Sequence, residues 1–216
     1  GVALDDAVAQ LRFARDNDVY YPHALQKFKL AVYCARFFQN PLSEVAALYN
    51  NPLDPDDCDL LRLELNPYQS AVPPSILRRA LVMEICNELV CAGLVLQDAM
   101  AYLDGYALVQ FLPGFGYRKA REFVDKLREE GARVRNREEL KAATGLGDVV
   151  FKNCNGFIKF AVKRLVNLEE VKNDSAYHVL DMLRIPCHLH GVVTRICEEL
   201  TRATVGKTGR EAVAEI

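Results

Sequence analysis

The chain has 216 residues, of which 50% are hydrophobic and 26% are charged, and its formal net charge is −2. This is enough apolar sequence for a folded core, and the near-neutral charge excludes a polybasic protein that binds nucleic acid along its whole length. No apolar run approaches the roughly 20 residues of a membrane-spanning helix. Seven cysteines without regular spacing, and no evident signal peptide, favour a reducing compartment, the cytosol or the nucleus.

Residues 1–53 are predicted to form helices. After Pro22, apolar residues recur at helical spacing, and they comprise Leu25, Phe28, Ala31, Val32, Ala35 and Phe38. The composition of residues 50–57 predicts a loop. Its closely spaced aspartates invite comparison with a metal site, but they do not match the spacing of an EF-hand loop. A solvated acidic loop is therefore the favoured interpretation.

Residues Leu61–Leu65 alternate between apolar and polar side chains, which predicts a β-strand that ends at Asn66-Pro67. A single strand needs partners, and we expect them upstream of Gly1. Because the chain also begins with Gly rather than Met, it is expected to be a fragment. A long helix is predicted to start at Pro73-Pro74-Ser75 and to be broken by Gly93, and a short helix from Gln97 to Leu103 follows it.

Two predicted helices meet in the stretch Leu112–Ala120. Pro113 cannot continue a helix, and Gly114 and Gly116 permit backbone angles that other residues disfavour. The order of Gly, an apolar residue, Gly, three variable residues and Ala resembles the helix-hairpin-helix motif. In proteins with that motif, the hairpin holds a nucleic-acid backbone without reading its sequence.

The second helix of this hairpin begins directly after the glycines, so its first N–H groups lie free at the positive end of the helix dipole. Such an end binds phosphate groups, and Arg118, Lys119 and Arg121 stand beside it. A hairpin that only packs two helices remains an alternative. A dinucleotide-binding loop is excluded because a helix, and not a strand, precedes the glycines.

A second Gly-apolar-Gly sequence occurs at Gly145-Leu146-Gly147. Here Asp148 replaces a basic residue and Lys152 stands where a small Ala would pack, so this copy is expected to be mainly architectural. The predicted nucleic-acid-binding residues of both hairpins are Gly114, Gly116, Tyr117, Arg118, Lys119, Arg121, Gly145, Gly147 and Lys152.

Basic residues are concentrated in and after the first hairpin, whereas acidic residues predominate near the start of the chain. Residues 1–70 hold ten acidic and six basic side chains, whereas residues 118–141 hold nine basic and six acidic ones. This mild positive stripe suits weak contact with a nucleic-acid backbone, and a solvated helical surface explains it equally well.

Other groupings of reactive residues are weaker. Cys187, His188, His190 and Cys197 offer zinc-ligand atoms, but their spacing differs from that of structural zinc sites. Residues 206–208, Gly-Lys-Thr, lack the upstream glycine of a phosphate-binding loop. No catalytic signature is evident. The sequence therefore predicts no enzyme, no cofactor and no metal.

Taken together, the motifs resemble the Tex-like transcription factors, most closely their eukaryotic elongation factors and histone chaperones. Ala31–Leu42 is similar to the family's alanine-arginine segment that ends in Asp/Asn-Pro-Leu, and Asn66–Gln69 to its His-Pro-Leu-Gln. Ala107–Lys119 resembles Ala-Leu-Val-Gln followed by Gly-Leu-Gly-Pro-Arg-Lys. Phe151–Lys159 is similar to Phe-Met-Asn-Cys-Ala-Gly-Phe-Leu-Lys. Asp174–Asp181 resembles the start of the family's death-like helical domain.

The resemblance implies a mainly α fold in three parts. These are the C-terminal end of a RuvC-like domain in residues 1–70, a tandem helix-hairpin-helix domain in 71–165, and part of a death-like helical domain in 166–216. It also implies a non-enzymatic scaffold in a nuclear elongation factor. Contacts with RNA polymerase II and histones would be made through the full-length protein, and neither a membrane nor a small-molecule substrate is expected.

Two departures mark a divergent member of the family. Of its Asn, Gly, Asp, Asn signature only Gly93 is present, which weakens any expectation of nucleic-acid contact near residues 90–97, and Tyr117 replaces a Pro. Two alternatives stay open. One is a protein-interaction module without nucleic-acid contact. The other is a fragment of a RuvC-like DNA-processing enzyme, which requires catalytic acids upstream of Gly1.

Overall fold

The computed structural model describes residues 6–20, 22–49, 58–101, 104–130, 134–160 and 178–204, and these are mainly α-helical, as predicted. The helices are α1 (Ala7–Tyr20), α2 (Gln26–Gln39), α3 (Pro41–Ala47), α4 (Pro74–Ala92), α5 (Leu96–Ala101), α6 (Tyr106–Val109), α7 (Tyr117–Glu130), α8 (Arg137–Thr144), α9 (Asp148–Cys154) and α10 (His190–Thr204). Among the described helices, none has the length and apolarity needed to cross a membrane. The acidic loop at 50–57 and the Gly-Lys-Thr sequence at 206–208 lie outside the described residues.

The predicted strand at Leu61–Leu65 is wrong. A 3-10 helix, Asp59–Arg62, occupies its start, and the buried side chains of Leu60 and of Leu63, the residue after the helix, are three positions apart. The side-chain amide of Gln69 donates to the carbonyls of Leu61 and Leu63 at 3.1 and 2.9 Å. One side chain therefore satisfies backbone groups that a neighbouring strand would otherwise have bound, and the argument for missing sheet partners loses its basis.

A short parallel pairing joins the two ends of the tandem hairpin unit. Gly93 ends α4 with a φ of 76°, and the chain enters strand β1 (Leu94–Val95). Strand β1 pairs with β2 (Ile158–Lys159), and these two strands form the only sheet within the described ranges. Because β1 precedes the first hairpin and β2 follows the second, the pairing closes the unit.

Helix α7 supplies a large part of the core around the hairpins. Its buried face comprises Ala120, Phe123, Val124 and Leu127, each no more than 2% exposed. These four residues recur with the period of the helix and therefore share one apolar face. The core to which these side chains belong extends from Val8 in α1 to Phe160 after β2. Burial of each large side chain contributes about 1.5–3 kcal/mol, so the start of α7 is carried by a firmly packed helix.

Helix α2 turns a different face to the interior from the one that its apolar residues indicate. Phe28 and Phe38 are 67% and 72% exposed, whereas Lys29, Tyr33 and Arg36 are buried. Charged side chains of α2 therefore enter the interior, where Arg36 forms ion pairs.

These ion pairs form a buried cluster, hereafter the ion cluster, of Arg12, Arg36, Asp16, Glu44 and Asp104. Arg12 binds all three carboxylates, and Arg36 donates to Glu44 at 2.8 Å and to Asp104 at 3.0 Å. Burial by itself would lower the pKa of Arg36, but the carboxylates of Asp104 and Glu44 outweigh it and raise that pKa. The cluster ties α1, α2 and α3 to the residues that precede α6.

Residues 178–204 are held against the hairpin unit by Arg137 at the start of α8. Its guanidinium donates to the carbonyls of Ile158 and Leu183 at 2.9 and 2.6 Å and pairs with Asp181 at 3.0 Å. In this part of the chain a 3-10 turn, Val179–Met182, precedes helix α10.

Candidate nucleic-acid interface

The first hairpin consists of α6, α7 and the tight turn between them. Leu112 N–H donates to Val109 O at 3.0 Å, and Phe115 N–H donates to Leu112 O at 3.0 Å. Gly114 has a φ of 86°, a left-handed conformation that side chains rarely adopt, so the turn requires glycine there. Phe115 packs edge-to-face on Phe123 of α7, with ring centroids 5.2 Å apart, and lies against the core.

The turn leads directly into the first turn of α7. The first backbone hydrogen bond there runs from Ala120 N–H to Gly116 O at 2.9 Å. Within the described part of the chain, the amides of Tyr117, Arg118 and Lys119 have no acceptor. They lie at the positive end of a 14-residue helix, which is the arrangement that binds phosphate groups at helix N-termini.

The basic side chains of the first hairpin surround these amides in three different ways. Arg118 is exposed, and the carboxylate of Glu122 approaches it only to 3.9 Å. Lys119 Nζ donates to Gly114 O at 3.4 Å, so its ammonium lies against the hairpin turn. Arg121 is also exposed, and its guanidinium lies over aromatic rings of the hairpin. The cations therefore add to the positive potential of the helix end.

The second hairpin, formed by α8 and α9, has the same backbone design with different electrostatics. Gly145 adopts φ 64° at the end of α8, and Gly147 precedes α9 with an ordinary φ of −63°. Asp148, the first residue of α9, pairs with Lys141 at 2.5 Å, and this hydrogen bond lowers the pKa of the carboxyl group. Lys152 is exposed. A carboxylate at this helix start opposes a phosphate, which favours the expected architectural role.

The two hairpins contact each other through their turns. A Cβ atom on Gly114 would lie 3.4 Å from Cγ1 of Val150 in α9, so the first turn approaches the second hairpin closely. Lys126 of α7 donates to the carbonyl of Thr144 at the end of α8, with Nζ and O 3.0 Å apart. These contacts fix the orientation of one hairpin relative to the other.

A comparison with protein families finds one match. A family model described as a helix-hairpin-helix motif matches residues 58–161, the stretch that includes both hairpins and the paired strands. A helix-hairpin-helix domain is therefore present in residues 58–161, in agreement with the glycine turns described above.

The chain is also similar to curated relatives, over lengths greater than that of the helix-hairpin-helix match. The chain is 30% identical over 155 residues to a Suppressor of Ty 6 homolog of Caenorhabditis briggsae, which is 72% of this chain and 10% of that protein. It is 33% identical over 145 residues to transcription elongation factor SPT6 of Drosophila melanogaster, covering 67% and 8%. For spt6 of Schizosaccharomyces pombe, the identity is 29% over 131 residues, covering 59% and 9%.

These relatives confirm the predicted resemblance to the eukaryotic elongation factors of the Tex-like family. The matched region spans only about a tenth of each relative's length. What those proteins do as a whole is therefore a separate question from what the helix-hairpin-helix domain can bind.

Sequence reasoning missed one side chain of the first hairpin. Tyr106 of α6 has its ring edge-to-face against Tyr117 and beneath Arg121. The spacing of Tyr117 and Arg121, four residues apart on one helix, was a usable signal for their contact. Nothing local in the sequence indicated that a residue of the preceding helix joins them.

The cysteine and histidine residues near the start of α10 do not form a metal site. His190 Nε2 lies 3.1 Å from Arg137 Nη1 and 3.1 Å from Ile185 O, so this ring nitrogen is within hydrogen-bonding distance of both groups. Cys187 N–H donates to Asn155 Oδ1 at 2.9 Å. Within the residues that the structure describes, no group of three or more His, Cys, Asp or Glu side chains could hold a metal ion.

Proposed function

We propose that this chain is part of the core scaffold of a nuclear transcription elongation factor and histone chaperone, and that its first hairpin binds a nucleic-acid backbone weakly and without reading sequence. The observation that carries the binding proposal is the free helix start at Tyr117–Lys119. It lies in a helix-hairpin-helix domain and is flanked by Arg118, Lys119 and Arg121. Amides and cations of this kind contact phosphate oxygens, which are the same for every base.

The expected affinity is low because few cations are available. If Arg118, Lys119 and Arg121 each neutralise one phosphate on a duplex, the logarithm of the binding constant should fall with the logarithm of salt concentration with a slope of about −3. A protein that relies on so few contacts needs other parts of a larger assembly to stay on nucleic acid. This suits a scaffold better than an independent nucleic-acid-binding protein.

The scaffold role is supported by the way the chain is held together. The ion cluster joins α1–α3 to the hairpin unit, and Arg137 joins residues 178–204 to it. In this proposal, the domain boundaries fall at residues 70/71 and 165/166, with RuvC-like and death-like flanks. RNA polymerase II and histones are contacted through the full-length protein, which works in the nucleus without a cofactor, a small-molecule substrate or enzymatic activity.

Charge reversal at the first hairpin tests the binding proposal. The variant Arg118→Glu with Lys119→Glu should bind fluorescein-labelled DNA and RNA more weakly than the wild-type chain in an anisotropy titration. Its salt dependence should be flatter by about two in slope. Arg195→Glu with Arg202→Glu, both exposed on α10, changes the overall charge by the same amount and serves as the control. Equal binding by the hairpin variant and the control would remove the nucleic-acid role.

A protein-interaction module without nucleic-acid contact is the second candidate function. The exposed apolar residues Val192, Ile196 and Leu200, which share one face of α10, favour it. In that case the hairpin substitutions would be silent in a pull-down with polymerase and histones, whereas polar substitutions on α10 would reduce capture. A RuvC-like DNA-processing enzyme is the third candidate, and it depends on catalytic acids outside this chain.

A further inference from the structure

Three side chains of the first hairpin form a compact group, hereafter the tyrosine–arginine cluster. The rings of Tyr106 in α6 and Tyr117 in α7 meet edge-to-face, with centroids 5.6 Å apart and an interplanar angle of 88°. The guanidinium carbon of Arg121 lies 5.5 Å from the first ring centroid and 5.7 Å from the second. Arg121 Nη1 also donates to the hydroxyl of Tyr117 at 3.2 Å.

The cluster holds an exposed cation in one orientation. An exposed arginine normally samples many rotamers, and a ligand that binds it must overcome the entropy of ordering them. Here two aromatic faces and one hydrogen bond restrain the guanidinium of Arg121 before any ligand arrives. Burial raises the pKa of Tyr106 further above neutral pH, where a tyrosine phenol is already uncharged. The cation is thus both accessible and preorganised.

The cluster also brings the cation close to the free amides of α7. Side chains on a helix lean toward its N-terminus, so Arg121 covers the surface over the turn that begins at Tyr117. The hydrogen bond from Arg121 to the Tyr117 hydroxyl shows this direction. Its guanidinium therefore lies on the same end of the helix as the amides of Tyr117, Arg118 and Lys119.

We propose that Tyr106 and Tyr117 are positioning residues that hold Arg121 as a preformed ligand for a nucleic-acid phosphate at the start of α7. This inference rests on the proposed function and deepens it. A guanidinium presents parallel N–H donors that match two phosphate oxygens, whereas a lysine ammonium acts as a point charge. The planar group and its fixed orientation, and not the charge alone, are what the first hairpin uses.

Conservative substitutions separate orientation from charge. Arg121→Lys keeps the charge, so it should leave the salt slope unchanged and weaken binding about two- to fivefold, the worth of an exposed cation–π contact. Tyr117→Leu should weaken binding to a similar degree, and Tyr117→Phe, which keeps the ring, should weaken it less. The probes are a fluorescein-labelled single-stranded DNA, the duplex of the same sequence and the matching single-stranded RNA. All three supply phosphodiesters, and their relative affinities identify the preferred source.

A double-mutant cycle shows whether Tyr117 acts through Arg121. In the Arg121→Ala background, Tyr117→Leu should cause no further loss of affinity, because the side chain that it positions is gone. A purely structural role would weaken binding equally in both backgrounds, and that result would overturn the inference. Thermal unfolding of each variant, with Tyr106→Phe as a ring-preserving control, checks that the hairpin remains folded.

The inference and the proposed function fail in different ways. If Arg118→Glu with Lys119→Glu weakens binding while Arg121→Lys and Tyr117→Leu bind like the wild-type chain, the positioning role is wrong and the proposed function stands. If the wild-type chain binds none of the three probes at low salt, both are wrong.

Discussion

Replacement of Asp104 by asparagine tests the ion cluster that joins α1–α3 to the hairpin unit. Asp104 is 7% exposed, and its carboxylate accepts hydrogen bonds from both Arg12 and Arg36. Asparagine has nearly the same size but no charge. The variant therefore leaves two buried guanidiniums to share the carboxylates of Asp16 and Glu44.

The expected loss of stability is large because the remaining charges stay buried. Removal of one partner from a buried ion pair costs about 3–5 kcal/mol, and here Arg12 and Arg36 each lose a carboxylate partner and must share those that remain. Domains are stable by only about 5–15 kcal/mol in total. At about 2–4 °C per kcal/mol for a chain of this size, the Asp104→Asn variant should melt about 6–20 °C below the wild-type chain.

Urea denaturation followed by far-UV circular dichroism measures the effect. The matched control is Asp98→Asn, because Asp98 is exposed on α5 and the same change there should alter stability by less than about 0.5 kcal/mol. An unchanged dependence on urea concentration would show that the change lies in stability and not in the compactness of the unfolded chain. A loss below about 1 kcal/mol for Asp104→Asn would refute the reasoning, because it would mean that water already screens these charges.

Two further predictions concern the second hairpin and its attachment to α10. Burial lowers the pKa of His190, so below about pH 6.5 the unfolded chain binds more protons at this residue than the folded chain does. The contribution of His190 to stability should therefore be constant above about pH 6.5 and should fall as the pH is lowered further. Urea midpoints measured across this range should fall less steeply in a His190→Gln variant. Gly145→Ala should lower the free energy of unfolding by about 1–2 kcal/mol because φ is 64° at this position. Gly147→Ala should leave it nearly unchanged, because φ is −63° and no atom lies within 4 Å of the added Cβ. Equal losses of stability in thermal unfolding would contradict this reasoning.

Local sequence was sufficient for the hairpins and the helices around them. Gly145 at the end of α8 and Asn136 at its start were recognisable because caps depend on neighbouring backbone groups alone; the Asn136 side chain accepts from Glu139 N–H at 2.8 Å. The buried face of α7 was recognisable because its apolar residues recur with the period of the helix. The helix start at Tyr117, and with it the candidate phosphate site, follows from these same short-range rules.

Contacts between distant parts of the chain decided the rest. The apolar residues of α2 suggested the wrong buried face, because Arg36 is drawn inward by Asp104, which lies 68 positions further along the chain. The alternating residues Leu61–Leu65 suggested a strand, but the side-chain amide of Gln69 donates to the carbonyls of Leu61 and Leu63 in place of a neighbouring strand. Burial of a charge or a backbone carbonyl is favourable only when its partner is in place, and that partner is chosen by the tertiary fold.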